Sequence, residues 1–230
     1  MLEVVDAWRA SQPVELVLGS GFLGFALSAV VWPVVSYALT VAHEGAHALT
    51  VAMTSGKVRS ITVSRGGGLT TFSGAGPLGS FFIFLTGYLG PSAFGLAGAV
   101  LLAGNKVAAV LGISLVLLFL ALIQAGNFAA RATILVVGTI IVLVLRHASA
   151  GQQLFFAYTW IWFLLIGGFA NVLVLQHIRG QGPDKLSDAY QLRKLSLLPA
   201  SLWSGFFWLS TLAALGYGAA ILFGLVEVGR

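Results

Sequence analysis

Apolar runs at roughly 14–31, 33–54, 78–102, 107–125, 153–176 and 202–226 reach or approach the ~18 residues that mark a membrane-spanning helix, and a shorter one lies near 132–146. Backbone N–H and C=O groups find no water in lipid, so a spanning segment satisfies them internally, as a helix or in a closed barrel. Strand-like alternation over ten-residue windows is absent, so the runs predict an all-α, polytopic transmembrane bundle of about six or seven helices. Composition agrees: 58% of residues are apolar and 8% charged, with a mean hydropathy of +0.98, whereas about a quarter of residues are charged in soluble domains. Only Trp32-Pro33 separates the first two runs, so one broken span plus a half-helix is the alternative at that point. Glu3 and Asp6 outweigh Arg9 where a leader would carry positive charge, which argues against a cleaved signal peptide. With no cysteine, disulfides and thiolate metal sites are excluded.

Orientation follows from the excess of Lys and Arg in loops retained in the cytoplasm. If the segments alternate, Arg9, Lys57, Arg59, Arg65, Arg131, Arg179, Lys185, Arg193 and Lys194 fall on one side, and Lys106, Arg146 and Arg230 on the other. The first side is therefore expected to be cytoplasmic. Merging the first two runs moves only Arg9 and leaves the assignment intact. The net charge of +5 thus reads as topology and contact with anionic lipid. No basic region outside the membrane supports a nucleic-acid role.

The chain reads as one membrane-embedded domain, 1–230, with two polar interruptions on the cytoplasmic face. The first, 55–76, carries alternating pieces around Ile61/Val63 and Leu69/Thr71 split by Gly66-Gly67-Gly68, which predicts a small β-hairpin; a flexible glycine loop is the bland alternative. The second, 177–199, contains Gly and Pro and then Ser187 as N-cap of a short helix over 188–194. Gly87, Gly90, Ala93 and Ala97 share one face of the third span, a pattern that lets membrane helices approach closely.

Within the second run stands "VAHEGAHALT", residues 41–50. Helical positions four apart face the same way, so His43 and His47 stack their rings one turn apart. Glu44 is rotated from them by about 100°, near enough to reach a water between the rings and itself without joining them as a ligand. This is the HExxH arrangement, in which neutral imidazoles hold Zn²⁺ and the carboxylate acts as general base. Four His and four Glu in the chain make its chance occurrence a roughly one-in-a-thousand event. An ionised carboxylate in a spanning helix also costs about 2.5–3.5 kcal/mol even on the lenient insertion scale, which favours a functional reason for Glu44.

A catalytic zinc site takes a third protein ligand and keeps one position open. After Glu44 the next acidic residue is Asp184, so neither a nearby second Glu nor a third His follows the motif, as they do in soluble zinc proteases. The remaining candidates are Glu15, His147, His177, Asp184, Asp188 and Glu227. His177, Asp184 and Asp188 fall on the side toward which the His43/His47 helix runs. His177, a lone imidazole at a helix end, ranks third among them.

An HExxH in a membrane helix, then a glycine-rich hairpin, a "GYLGP" span and a late Asp after Pro183, resembles the site-2 protease family of intramembrane zinc metalloproteases. The resemblance implies a third ligand at the Asp of Asn-x-x-Pro-x-x-x-Leu-Asp-Gly, which falls on Asp188 with Asp184 as its rival. Gly180, Ser187 and Ala189 depart from that motif, and Asn171 upstream is a substitute for its Asn. The "SDA" at 187–189 is similar to a compact bacterial branch.

The expected function is an intramembrane zinc endopeptidase cutting in or near the transmembrane helix of a membrane-protein substrate. His43, His47 and Asp188 hold the metal, and Glu44 is the general base. Val63, Leu69 and Asn171 are the candidate substrate contacts, the hairpin receiving an unwound segment by strand addition. The rivals are a divalent-metal transporter, disfavoured by the lack of other acidic residues in the spans, and a protease-like scaffold that binds helices without cutting them.

Overall fold

The computed structural model describes residues 14–182 and 184–228. Glu3, Asp6, Arg9, Pro183 and Arg230, which enter the readings above, lie outside the described residues. Eight helices and one two-stranded sheet make up the described chain, in the order α1 (Val14–Val30), α2 (Trp32–Met53), β1 (Lys57–Ser64), β2 (Gly67–Ser73), α3 (Gly76–Ala103), α4 (Val107–Ile123), α5 (Phe128–His147), α6 (Ala150–Gly180), α7 (Asp188–Ser196) and α8 (Ala200–Leu222). Seven are apolar, matching the seven runs, and four of these (α3, α5, α6 and α8) are each long and apolar enough to cross a membrane. α4, at 17 residues, is shorter.

The joint between α1 and α2 bends the chain by 103°, so these two form a broken span or a re-entrant loop. Pro33 sits in the first turn of α2, where its missing N–H is not needed. The amides of Val34 and Val35 both donate to the Val31 carbonyl and restart the helix (2.9 and 3.1 Å).

Close helix approach through glycine builds the centre. On α3, a side chain at Gly90 would collide with Ala46 of α2, and side chains at Gly95 and Gly98 with Leu165 and Ile161 of α6. Gly87 and Gly90 thus belong to the packed face, as expected. Ala93 and Ala97 do not: both are exposed, and the seam continues through Gly95 and Gly98 because α6 takes over from α2 as the neighbour along α3.

The interruption after α2 is an ordered hairpin. β1 and β2 pair antiparallel from Lys57↔Ser73 to Ser64↔Gly67, and Gly67 leaves the turn at φ +124°, a conformation that suits glycine alone. A flexible loop is thereby excluded, for a second reason as well: the outer edge of β1 is already paired. Ile61 donates to the Gln124 carbonyl and accepts from the Gly126 amide, both at 2.7 Å. Asn127 then bonds both backbone groups of Val63 (3.3 and 2.8 Å) while its Oδ1 caps α5 at the Ala130 amide (3.0 Å). The hairpin, the α4–α5 connection and the α6–α7 connection share one end of the bundle.

α7 begins at Ser187, whose hydroxyl accepts from the Tyr190 amide as the sequence predicts for an N-cap. Its buried side, Ala189 and Leu192, lies on Val172 and Leu175 of α6 and Phe207 of α8, with Phe81, Phe84 and Tyr88 of α3 packed around them. That apolar seat holds the first residue of the helix, Asp188, against α2 and α3.

Candidate metal centre

His43, Glu44 and His47 are all buried in the half of α2 closest to the hairpin. The Nδ1 of His47 lies 2.7 Å from the Ile83 carbonyl of α3. A carbonyl only accepts, so Nδ1 carries the proton, and the neutral ring presents an unprotonated lone pair at Nε2. That Nε2 is 3.1 Å from the Nε2 of His43. The carboxylate of Asp188 closes the triangle, with Oδ2 3.2 Å from His43 Nε2 and Oδ1 3.3 Å from His47 Nε2.

These three edges test whether zinc fits. Bonds of about 2.0 Å to a tetrahedral ion place neighbouring donors about 3.3 Å apart. The observed separations meet that spacing, and the donor set of two imidazoles and one carboxylate is a catalytic zinc set with one position left over. One buried atom points the same way: Asp188 Oδ2 has no hydrogen-bond partner.

Space for the cluster comes from α3. A Cβ at Gly87 would run into Asp188 Oδ2 and the His47 ring. Pro91, one turn further along, has no N–H and leaves the Gly87 carbonyl without its helical donor. The Tyr88 ring meets His43 edge to face at 4.7 Å and closes that flank.

Glu44 stands beside the triangle. A ligand oxygen or nitrogen from each of His43, Glu44 and His47 lies within 4.8 Å of the others. The Glu44 carboxylate is held from the hairpin: the Thr70 hydroxyl donates to Glu44 Oε2 at 2.6 Å and approaches the Glu44 carbonyl at 3.1 Å. Gly68, two residues back on the same face of β2, lies directly against Glu44, where any side chain would collide with Cγ and Oε1. Phe72, the next on that face, contacts Phe84, which in turn meets the His47 ring.

The other residues singled out from the sequence lie apart from this centre. Asp184 shapes the α6–α7 connection: its Oδ1 accepts from the amides of Leu186 and Ser187 at 3.1 and 3.0 Å, and its Oδ2 meets the Ser187 hydroxyl and Arg179. Burial raises its carboxyl, but Ser187, Leu186 and Arg179 together outweigh that and hold it below its ordinary value. His177 bonds Gln181 on the surface. Glu15 opens α1, His147 ends α5 at the opposite end of the bundle, and Glu227 follows α8.

The three expected substrate contacts differ in burial. Val63 is 1% exposed and packs beneath the sheet with Val41, Ile61 and Ala125. Leu69 is 59% exposed on the other face of β2, and Asn171 is half-buried in α6. The hairpin residues that face the centre are Gly68, Thr70 and Phe72. Thr70 faces inward because it has a buried carboxylate to bond.

A family profile described as Peptidase M50B-like matches residues 18–218, which include every side chain of the cluster. Searches of curated proteins and of solved structures return no significant match.

Proposed function

Because this chain belongs to the Peptidase M50B-like family, a site-2-protease-like group of membrane metallopeptidases, we propose that it is a zinc endopeptidase that cleaves a transmembrane or membrane-proximal segment of a membrane-protein substrate. The observation that carries this is the triangle of His43, His47 and Asp188, with donor separations of 3.1, 3.2 and 3.3 Å, beside a buried Glu44 that is not part of it.

In this reading His43, His47 and Asp188 hold the metal. Zinc bound there supplies Lewis acidity toward the scissile carbonyl and makes water acidic enough to attack near neutral pH. Glu44 takes the proton of the attacking water and passes it to the leaving amine. Thr70 occupies one carboxylate oxygen, Oε2, and so leaves Oε1 as the base. A substrate helix hides its carbonyls in hydrogen bonds and has to unwind before attack. β1 has its outer edge paired to the α4–α5 connection, so β2, which faces Glu44, is the strand to receive the extended segment. Eight of the described cations lie at the hairpin end of the bundle and two, Lys106 and Arg146, at the other. This supports a cell-membrane protein whose centre opens toward the cytoplasm.

The test is Glu44→Gln beside the parent. The variant is expected to keep its zinc, measured by elemental analysis, and to lose cleavage of a reporter carrying a transmembrane helix. Undiminished cleavage by Glu44→Gln would refute the assignment.

A further inference from the structure

Outside the metal centre, charged side chains gather around a hollow of about 300 Å³ between the end of α6 and the start of α8. Arg179, Lys185 and Arg193 line it, together with Tyr190, Gly182, Asp184 and Ala200. Three cations face one carboxylate. That carboxylate is already engaged by two amides of its own turn, the Ser187 hydroxyl and Arg179 at 3.4 Å, which leaves Lys185 and Arg193 as the cations without a carboxylate in the hollow. The hollow is thus net positive, and its hydrogen-bonding capacity lies in guanidinium and ammonium groups.

Depth in the membrane decides what such a hollow meets. α6 has 31 residues and is roughly 46 Å long, against about 30 Å of hydrocarbon. Arg179 in its last turn therefore lies beyond the hydrocarbon, at the level of lipid headgroups. Ala200, on the opposite wall, is the first residue of α8, which crosses back. The orphan amides of that helix start add a positive pole to the same hollow.

The flanks differ from a soluble surface. Leu186 and Leu197, just before and just after α7, are 92% and 93% exposed. Leu198, Leu202 and Phe206 extend the exposed apolar surface onto α8. Leucines presented in full beside Lys185, Arg193 and Lys194 match the layering of the interface, with apolar side chains toward acyl chains and cations at the phosphate plane.

From this we infer that the Arg179/Lys185/Arg193 hollow binds the phosphate of an anionic phospholipid, whose acyl chains lie along the exposed leucines of the α7 flanks and α8. The ligand class is a phosphodiester headgroup. The lipid is preferred over free phosphate as its source because only the lipid uses the adjoining apolar surface. The site lies on the connection that delivers Asp188, but its occupancy does not depend on the metal centre being catalytic.

The experiment uses the full chain, stripped of metal with EDTA and reconstituted in vesicles of equal parts phosphatidylcholine and phosphatidylglycerol. Lipids retained on extraction are counted by native mass spectrometry. The parent is expected to keep phosphatidylglycerol in preference to phosphatidylcholine. Lys185→Gln/Arg193→Gln, two exposed positions whose change leaves the core intact, is expected to bind it about 25-fold more weakly, at about fivefold per cation. A hairpin control, Lys57→Gln/Arg59→Gln, should behave as the parent. Excess inorganic phosphate should leave the retained lipid in place. Equal retention by the Lys185/Arg193 variant, or an equal loss in the hairpin control, would overturn the site. Complete displacement by inorganic phosphate would overturn its assignment to a lipid.

Discussion

Glu44 leans on two residues far from it in the chain, Thr70 and Gly68 of β2, and the first of them sets how its carboxylate is aimed. A hydrogen bond to a charged group contributes about 1.5–3 kcal/mol. Thr70→Val, nearly the same shape without the hydroxyl, should therefore lower the cleavage rate roughly 10- to 100-fold, with zinc content unchanged. Thr70→Ser should restore most of it. Parallel rate and zinc measurements check this, and a Val variant as fast as the parent would remove Thr70 from the machinery. The sequence shows His43, Glu44 and His47 as a unit because their geometry is local to one helix. Thr70 is illegible there, and Gly68 and Gly87 are legible only as a turn glycine and a packing glycine. Their contacts with Glu44, His47 and Asp188 cross tens of residues, so no local pattern marks them.

α7 places Asp188, and its register depends on two carboxylates doing different jobs. Asp188→Ala removes one corner of the donor triangle and should leave purified protein nearly free of zinc. Asp184→Ala removes only the ties to Leu186, Ser187 and Arg179, so it should retain the metal in part. Elemental analysis of the two beside the parent separates them, and equal zinc in Asp188→Ala and parent would move the third ligand elsewhere. The pH dependence of the turn has a definite sign. The Asp184 carboxyl titrates below its ordinary value of 3.8 in the folded chain. Its contribution is therefore complete above that value and is lost as the pH falls below it. Protection of the Leu186 and Ser187 amides of metal-free protein against hydrogen exchange, taken relative to the intrinsic rate at each pH, should hold at neutral pH and fall only in that acid range. The helix itself was readable from Ser187 as N-cap. Which Asp reaches the rings was not, because that is set by the seat under Ala189 and Leu192, built from α3, α6 and α8.

At the scale of the whole molecule, the apolar runs predict the helices, but the path of the first two depends on the 103° turn at Val31, for which Trp32-Pro33 is the only cue. Charge completes the architecture. Among the described residues Lys57, Arg59, Arg65, Arg131, Arg179, Lys185, Arg193 and Lys194 lie at the hairpin end, and Lys106 and Arg146 at the other. Because cations resist transfer across the membrane, this asymmetry predicts that the centre faces the cytoplasm. Natural cysteine is absent, so single cysteines report position without background. Arg65→Cys at the hairpin turn should resist a membrane-impermeant maleimide in intact cells and react after permeabilisation. Lys106→Cys, between α3 and α4, should react in both. Both positions are exposed, so shielding of the first reflects the bilayer and not burial in the protein. The reverse pattern would place Glu44, the metal ligands and the basic hollow on the outer face. The route by which water and an unwound substrate reach β2 would then begin outside the cell.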